Sequence, residues 1–251
     1  MDIPADPRVP ADSFRRLTFY SVLGGLCPLI PVPFVDDIAL EQVQRRMVSE
    51  VSRREGVQLS DREVKILAGD EDSQRRGCLG TVAWAVRETL GAILGKLYRT
   101  VLYFLTIRRS VRRAAETLHL GYLAVHAARL GALSRDDRSE DRARAVRAAI
   151  LETQKEMDSR PIYRTLTRDF RQSLSLLLQV AALLGRFIPR RRRRKAPAAE
   201  PLAGQGEAFQ QAEGLLGGFT DRLAANLWGN RAYFAELERM LESHLQGKLP
   251  A

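Results

Sequence analysis

A charge-free run of 19 residues, Leu17–Val35, constrains the fold more than any other feature of this chain. Its length is close to the roughly 20 apolar residues that a membrane-spanning helix needs. A proline lacks the backbone N–H and disfavours the α conformation of the residue before it, so one straight helix is excluded. The run contains three prolines: Pro28, Pro31 and Pro33. It predicts a short apolar helix over about 13–27, an extended proline turn, and a new helix capped by Asp36 or Asp37.

This bent apolar hairpin has two interpretations, which are compatible with each other. It enters a bilayer partway, or it packs into a helical core as a rigid turn between two helices. In hydrocarbon, the backbone groups of a proline turn must be satisfied by neighbouring helices. The membrane interpretation assigns the contacts to seven apolar side chains: Leu23, Leu26, Leu29, Ile30, Pro31, Pro33 and Phe34.

The composition is that of a folded, basic protein. Apolar residues make up 45% of the 251 residues, charged residues 28%, and the net charge is +10. Of the 40 basic residues only five are lysines, which fits an arginine-rich proteome as well as selection for an anionic partner. Residues 200–251 carry a net charge of −3, and residues 1–199 carry a net charge of +13. An anionic partner surface would therefore be expected to contact residues 1–199, the basic body of the protein.

The two cysteines, Cys27 and Cys78, have no metal-ligand spacing and predict a reducing compartment without a disulfide framework. Arg15-Arg16 before the apolar run resembles a twin-arginine signal, and Cys27 resembles a lipoprotein cysteine. Leu26 stands where such a signal needs a small residue, which argues against export.

Helical periodicity continues after the proline turn. Residues 37–55 place apolar side chains on one face: Leu40, Val43, Met47 and Val51. Gly56 predicts the end of that helix, and Ser60 with Glu63 predicts a capping box that opens a short helix ending near Gly69. The pattern then stays helical from Cys78 to about Leu133. One straight helix of that length would be about 80 Å long, so we expect a break near Arg108–Arg109 or Gly121.

The second half of the chain predicts further helices. One runs from Ser139 to about Ser159, and the next covers 161–188, with Pro161 in its first turn. Residues 207–247 predict a separate amphipathic hairpin broken at Gly229-Asn230. Its first arm has a coiled-coil seam proposed to bind a protein partner or a second copy through Phe209, Leu216, Phe219 and Leu223.

The predicted fold class is therefore all-α, a multi-helix bundle with a proline-broken apolar hairpin and a C-terminal helical hairpin. Residues 1–12 form an extended leader and residues 13–189 a membrane-associating helical body. Residues 190–206 are a polybasic and Pro/Ala/Gly linker, followed by the hairpin over 207–247.

Residues 20–68 resemble the YcjF-like helical membrane domain of unknown function, with the EcsC family as a near neighbour. The similarity is carried by Gly24-Gly25, the segment Pro31–Asp36 and the segment Gln44–Val48 with Glu50, followed by Gly56-Val57 and Leu59-Ser60. The resemblance implies membrane association, in some cases beside GTPase domains. It implies no active-site residue.

A basic run follows the apolar end of helix 161–188: seven of the ten residues 186–195 are Arg or Lys. Each basic residue near an anionic leaflet contributes on the order of 1 kcal/mol, which favours a lipid contact. Its residues are Arg186, Arg190, Arg191, Arg192, Arg193, Arg194 and Lys195. A solvated linker is the main alternative. Nucleic-acid binding is disfavoured, because no aromatic side chains interleave the run.

The sequence predicts no catalytic constellation, cofactor or metal. The segment Gly91–Leu97 imitates a phosphate-binding loop but lacks its spacing and its Ser or Thr. Glu116 and His119 form a single Glu-x-x-His, whereas carboxylate-bridged metal sites in bundles need two such pairs and two further glutamates.

These features predict a non-enzymatic scaffold or accessory protein at the cytoplasmic face of the membrane, held there by the apolar hairpin and the polybasic segment. A soluble all-α adaptor for protein interactions is the first alternative, and a nonspecific nucleic-acid-binding module is the second.

Overall fold

The computed structural model describes residues 9–30, 35–69, 95–133, 138–186, 205–246 and 248. These residues form nine α-helices and no strand, which confirms the predicted all-α, multi-helix bundle. The helices are α1 (Ala11–Leu26), α2 (Val35–Arg54), α3 (Asp61–Ala68), α4 (Gly95–Arg129), α5 (Ser139–Glu156), α6 (Arg160–Gln172), α7 (Leu174–Arg186), α8 (Gln205–Trp228) and α9 (Arg231–Leu245).

Helix α1 is the central element of the bundle. Every residue from Leu17 to Leu26 is buried, and the helix packs against α2, α4 and α8. A 3-10 turn at Cys27–Leu29, which contains Pro28, follows it. A helix surrounded on all sides has no polar face, which explains why this stretch lacks charged residues. The predicted apolar helix over about 13–27 is confirmed.

Two glycines of α1 allow close helix contacts. A Cβ atom on Gly24 would lie 2.5 Å from Thr117 Oγ1, and one on Gly25 would lie 2.8 Å from Cε2 of Phe170. Both separations are below van der Waals contact, so α4 and α6 approach α1 where only a hydrogen atom fits.

Replacing Gly25 with alanine is expected to lower the free energy of unfolding by about 1–3 kcal/mol, the usual cost of overpacking a core. Gly218→Ala is the matched control, because a Cβ atom on this helical glycine of α8 meets nothing within 4 Å. That substitution is expected to stabilise by about 0.5–1 kcal/mol. Urea unfolding measures both variants, and equal effects would contradict the close packing of α1.

Helix α4 corrects one prediction. It is continuous from Gly95 to Arg129, so the expected break near Arg108–Arg109 or Gly121 is wrong. Gly121 is a packing position instead: a Cβ atom there would lie 2.5 Å from Cδ2 of Leu17 on α1. At 1.5 Å per residue the helix is about 50 Å long, which lets α1, α2, α5, α6 and α9 pack along it.

Several local signals are confirmed. The Ser60 hydroxyl accepts a hydrogen bond from the Glu63 amide at 3.3 Å, and the Ser60 amide donates to Oε2 of Glu63 at 2.7 Å, which completes the capping box. Gly56 and Gly69 have φ values of +81° and +85°, the left-handed conformation expected at helix ends. Pro161 lies in the first turn of α6.

The single helix predicted over 161–188 is two helices. Ser173 separates α6 from α7 with φ −112° and ψ 19°, outside the helical region. Serine side chains compete for backbone hydrogen bonds, so serine is a weak helix former at such a position. The helical periodicity of the sequence continues across this residue and gave no sign of the break.

The two C-terminal helices pack onto the body. Helix α8 lies against α1, α6 and α7, whereas α9 lies against α4 and α5. Phe14 of α1 makes edge contacts with Trp228 of α8 and Phe234 of α9, with ring centroids 4.7 and 5.3 Å apart. Tyr122 of α4 lies 4.7 Å from Phe234 by the same measure. This aromatic cluster joins residues 205–245 to the same hydrophobic core as α1.

Candidate functional site

The structure places most of the proposed hairpin contacts inside the protein. Leu23, Leu26 and Ile30 are buried, and Leu29 is half-buried against the core. Pro31, Pro33 and Phe34 lie outside the described residues. The described part of the hairpin therefore gives its apolar surface to α2, α4 and α8, and little of that surface is left for a bilayer.

Within the described ranges, no helix combines the length and the hydropathy that crossing a membrane requires.

Helix α7 has an unusual outer face. No charged residue occurs between Arg171 and Arg186, although the helix lies at the surface. Leu177, Val180 and Ala181 face the core. Leu178 is 46% exposed, and Gln179 and Ala182 are exposed beside it. The outer face of α7 is thus neutral and partly apolar, and it leads directly into the basic run.

The end of α7 lies beside the end of α1. A Cβ atom on Gly185 would lie 3.5 Å from Cγ2 of Ile30, and α7 also contacts the 3-10 turn after α1. The two described segments that lead toward the prolines and toward the basic run therefore end at one end of the bundle. The Arg186 side chain and the rest of the proposed lipid contact lie outside the described residues: Arg190, Arg191, Arg192, Arg193, Arg194 and Lys195.

The proposed protein-interaction residues of α8 belong mainly to the core. Leu216, Phe219 and Leu223 are buried. Phe209 is half-buried, and the guanidinium of Arg46 lies 4.4 Å from its ring centroid. The seam predicted for a partner is used within this chain, against α1 and its neighbours.

A basic groove lies between α4, the end of α5 and α6. Its volume is about 1260 Å³, and the described residues that line it include one carboxylate, Glu116. A second depression of about 610 Å³ adjoins it along α6 and adds Arg164 and Arg168. Six cationic side chains line the groove itself: Arg108, Arg109, Arg112, Lys155, Arg160 and Arg171.

This groove is not among the sites predicted from the sequence, although part of its signal is visible there. Arg160, Arg164, Arg168 and Arg171 recur at helical spacing, so they share one face of α6. The other wall is more than 40 residues away in α4, and periodicity does not reveal which helices become neighbours.

Polar groups form the floor of the groove. His119 Nε2 lies 2.7 Å from the Tyr233 hydroxyl, and that hydroxyl lies 3.4 Å from Oγ of Ser159. Burial lowers the pKa of His119 to about 4, so its imidazole is neutral at physiological pH. Burial also raises the pKa of Tyr233 to about 12, so its hydroxyl keeps its proton.

The Glu116–His119 pair is used for other contacts. Glu116 accepts hydrogen bonds from Arg112 at 2.8 Å and Arg113 at 3.3 Å. His126, two turns further along α4, lies 2.9 Å from a carboxylate oxygen of Glu242. Across the described part of the chain, no group of His, Cys, Asp and Glu side chains is arranged to hold a metal ion.

No protein-family model, no curated protein and no solved structure matches this chain. The resemblance of residues 20–68 to the YcjF-like domain, and the membrane association that it implies, therefore stay predictions.

Proposed function

We propose that this protein is a non-enzymatic helical scaffold or accessory factor that binds peripherally to the anionic, cytoplasmic face of a membrane. The contact surface is the outer face of α7 together with the adjoining basic run. The described part of α7 ends beside the turn that follows α1, and the basic run comes next in the sequence.

The observation that carries this proposal is the neutral outer face of α7. Surface helices in this protein otherwise expose charged side chains, yet α7 exposes Leu178, Gln179 and Ala182 and no charge before Arg186. An interfacial helix needs an apolar face that enters the headgroup region and cations that meet anionic lipid. The sequence supplies seven cations within residues 186–195, directly after this face.

Peripheral binding is favoured over insertion because α1 is the centre of the core. Exposing Leu17–Leu26 to lipid would require α2, α4 and α8 to separate from α1, with loss of the contacts that hold the bundle together. In peripheral binding the attraction between protein and membrane comes mainly from charge. Salt weakens this attraction, since the Debye length falls from about 10 Å at 0.1 M to about 3 Å at 1 M.

Leu178→Gln is expected to weaken binding to vesicles of equal parts phosphatidylglycerol and phosphatidylcholine about fivefold. Leu178 is 46% exposed, so the substitution removes about half of a leucine's transfer free energy, about 1 kcal/mol. Co-sedimentation of the full chain measures the partition coefficient. Leu130→Gln is the matched control, because Leu130 is equally exposed, at 47%, but lies outside α7. It directly follows the last residue of α4, Arg129, which pairs with Glu55.

Binding by the wild-type chain is expected to disappear in 1 M salt and on vesicles of phosphatidylcholine alone. Equal binding to neutral and anionic vesicles, or equal losses in the two leucine variants, would contradict the proposal. A chain that never sediments with anionic vesicles would favour the alternative of a helical adaptor in solution, which the burial of Leu17–Ile30 also fits.

A further inference from the structure

We infer that the basic groove between α4, α5 and α6 is a binding site for a phosphate-bearing ligand that has an apolar portion. The groove is separate from the outer face of α7, so this inference does not depend on the proposed function. Lipids with a phosphate headgroup and soluble organic phosphates both have this chemistry. Titration with one probe of each kind distinguishes the two sources.

The charge of the groove is the first argument. Among the described residues, six cations and one carboxylate line it, and Arg164 and Arg168 extend the positive surface along α6. Like charges gathered around one concave surface repel one another and focus a positive potential into it. A bound anion removes that repulsion, and arginine is the side chain best suited to bind phosphate oxygens in pairs.

The positive charge of the groove is only partly compensated: Arg109 and Arg171 have interactions of their own, and Lys155 lies near Glu152. Its carboxylate, Glu116, already accepts hydrogen bonds from Arg112 and from Arg113. Arg160 lies 3.6 Å from Asp158, a contact between two largely exposed side chains that contributes little. Among the described residues the exposed Arg108 has no carboxylate partner. The charges of Arg108 on α4 and Arg160 on α6 are thus available to a ligand.

The shape and the remaining lining define the rest of the ligand. A volume of about 1260 Å³ exceeds what an inorganic anion needs and is slightly above the usual range for small-molecule sites. Ile107, Val111 and Leu151 form an apolar part of the wall, and the half-buried Tyr163 offers both a ring and a hydroxyl. This combination fits an amphiphilic phosphate better than a simple ion.

The floor supplies neutral hydrogen-bonding groups. The Ser159 hydroxyl and the His119 ring line the groove, and the Tyr233 hydroxyl connects them. These groups hold each other in position, so the polar floor is formed before any ligand arrives. A pre-formed polar floor orients a ligand without the entropic cost of ordering side chains.

The test uses dihexanoyl phosphatidic acid below its micelle concentration, glycerol 3-phosphate and dihexanoyl phosphatidylcholine as probes for isothermal titration of the full chain. No bilayer is present, so the result is independent of membrane binding. We expect one saturable site for phosphatidic acid. The double variant Arg108→Gln/Lys155→Gln removes one cation from each wall. It is expected to weaken the binding of phosphatidic acid at least tenfold.

The control variant Arg53→Gln/Arg62→Gln removes the same charge from exposed positions outside the groove and is expected to bind like wild type. Tighter binding of phosphatidic acid than of glycerol 3-phosphate is expected from the apolar wall and would assign the site to lipid. Equal binding would show that the site takes a soluble phosphate and would overturn the apolar portion of the inference. No saturable binding of either phosphate at millimolar concentration would overturn the inference. Equal losses in the two double variants, or equal binding of phosphatidylcholine, would overturn it as well.

Discussion

Replacing Leu216 with alanine is expected to lower the free energy of unfolding by about 2–5 kcal/mol, the usual cost of truncating a fully buried leucine. Replacing its neighbour Leu215 in the same way is expected to change that free energy by less than about 0.5 kcal/mol. Leu216 is completely buried, whereas Leu215 is 51% exposed. The two substitutions remove the same atoms from the same helix, so helix propensity cancels in the comparison.

The physical reason is the position of α8 against α1. In a free hairpin waiting for a partner, Leu216 would be exposed until the partner bound, and its truncation would cost little in the isolated chain. In the structure it belongs to the common core with Leu17, Leu223 and the aromatic cluster around Phe14. Its loss leaves a cavity that the close packing of the bundle cannot fill.

Urea denaturation followed by far-ultraviolet circular dichroism measures both variants. A single cooperative transition is expected for wild type, because α8 and α9 share the core with the other helices. Two separate transitions, with only the weaker one shifted by Leu216→Ala, would show that residues 205–245 fold as an independent unit and would contradict this packing.

Local sequence signals predicted the helices well because their causes are local. The Ser60–Glu63 capping box, the turn at Gly56 and the break at Gly229-Asn230 depend on residues a few positions apart. The failure at Ser173 has the opposite cause. Apolar residues continue there at helical spacing. The two helices share α8 as a neighbour, but α6 packs mainly on α4 whereas α7 contacts α1 and the turn after it, and this difference is visible only in the packed structure.

The environment of an apolar face was much harder to predict. A charge-free run such as Leu17–Val35 has the same sequence whether lipid or protein surrounds it, and the described part of this run is surrounded by protein. The seam of α8 shows the same ambiguity, since Leu216 and Phe219 would look alike facing a partner or facing α1. The groove depends on residues from α4 to α6 that only tertiary packing brings together.

The buried His119 is expected to make the protein less stable in mild acid. Burial lowers the pKa of its imidazole from 6.5 to about 4. Above pH 6.5 the imidazole is neutral in both the folded and the unfolded chain and the full stability is present. Between pH 6.5 and about 4 the unfolded chain binds a proton that the folded chain excludes, so the free energy of unfolding falls, by up to about 3 kcal/mol.

His119→Gln is the control, because glutamine keeps a hydrogen-bonding group for the Tyr233 hydroxyl and does not titrate. Carboxylates also gain protons as the pH falls, but they do so in the wild type and in the variant alike. The difference between the two stability curves therefore isolates His119. We expect the wild type to lose stability relative to the variant from pH 7 to pH 4.5, and a constant difference would contradict the burial of this side chain.

The location of His119 gives this prediction a structural consequence. Its partner Tyr233 belongs to α9, so protonation of the imidazole acts at the contact between α4 and the last helix. At pH 5 the imidazole gains a proton only in states that expose it, so an opening that separates α9 from α4 becomes more favourable. Amide hydrogen exchange at pH 5 is therefore expected to increase in α9 before it increases in α1, the centre of the core. Simultaneous opening of α1 and α9 would show that the acid-sensitive step is global unfolding rather than release of the C-terminal helix.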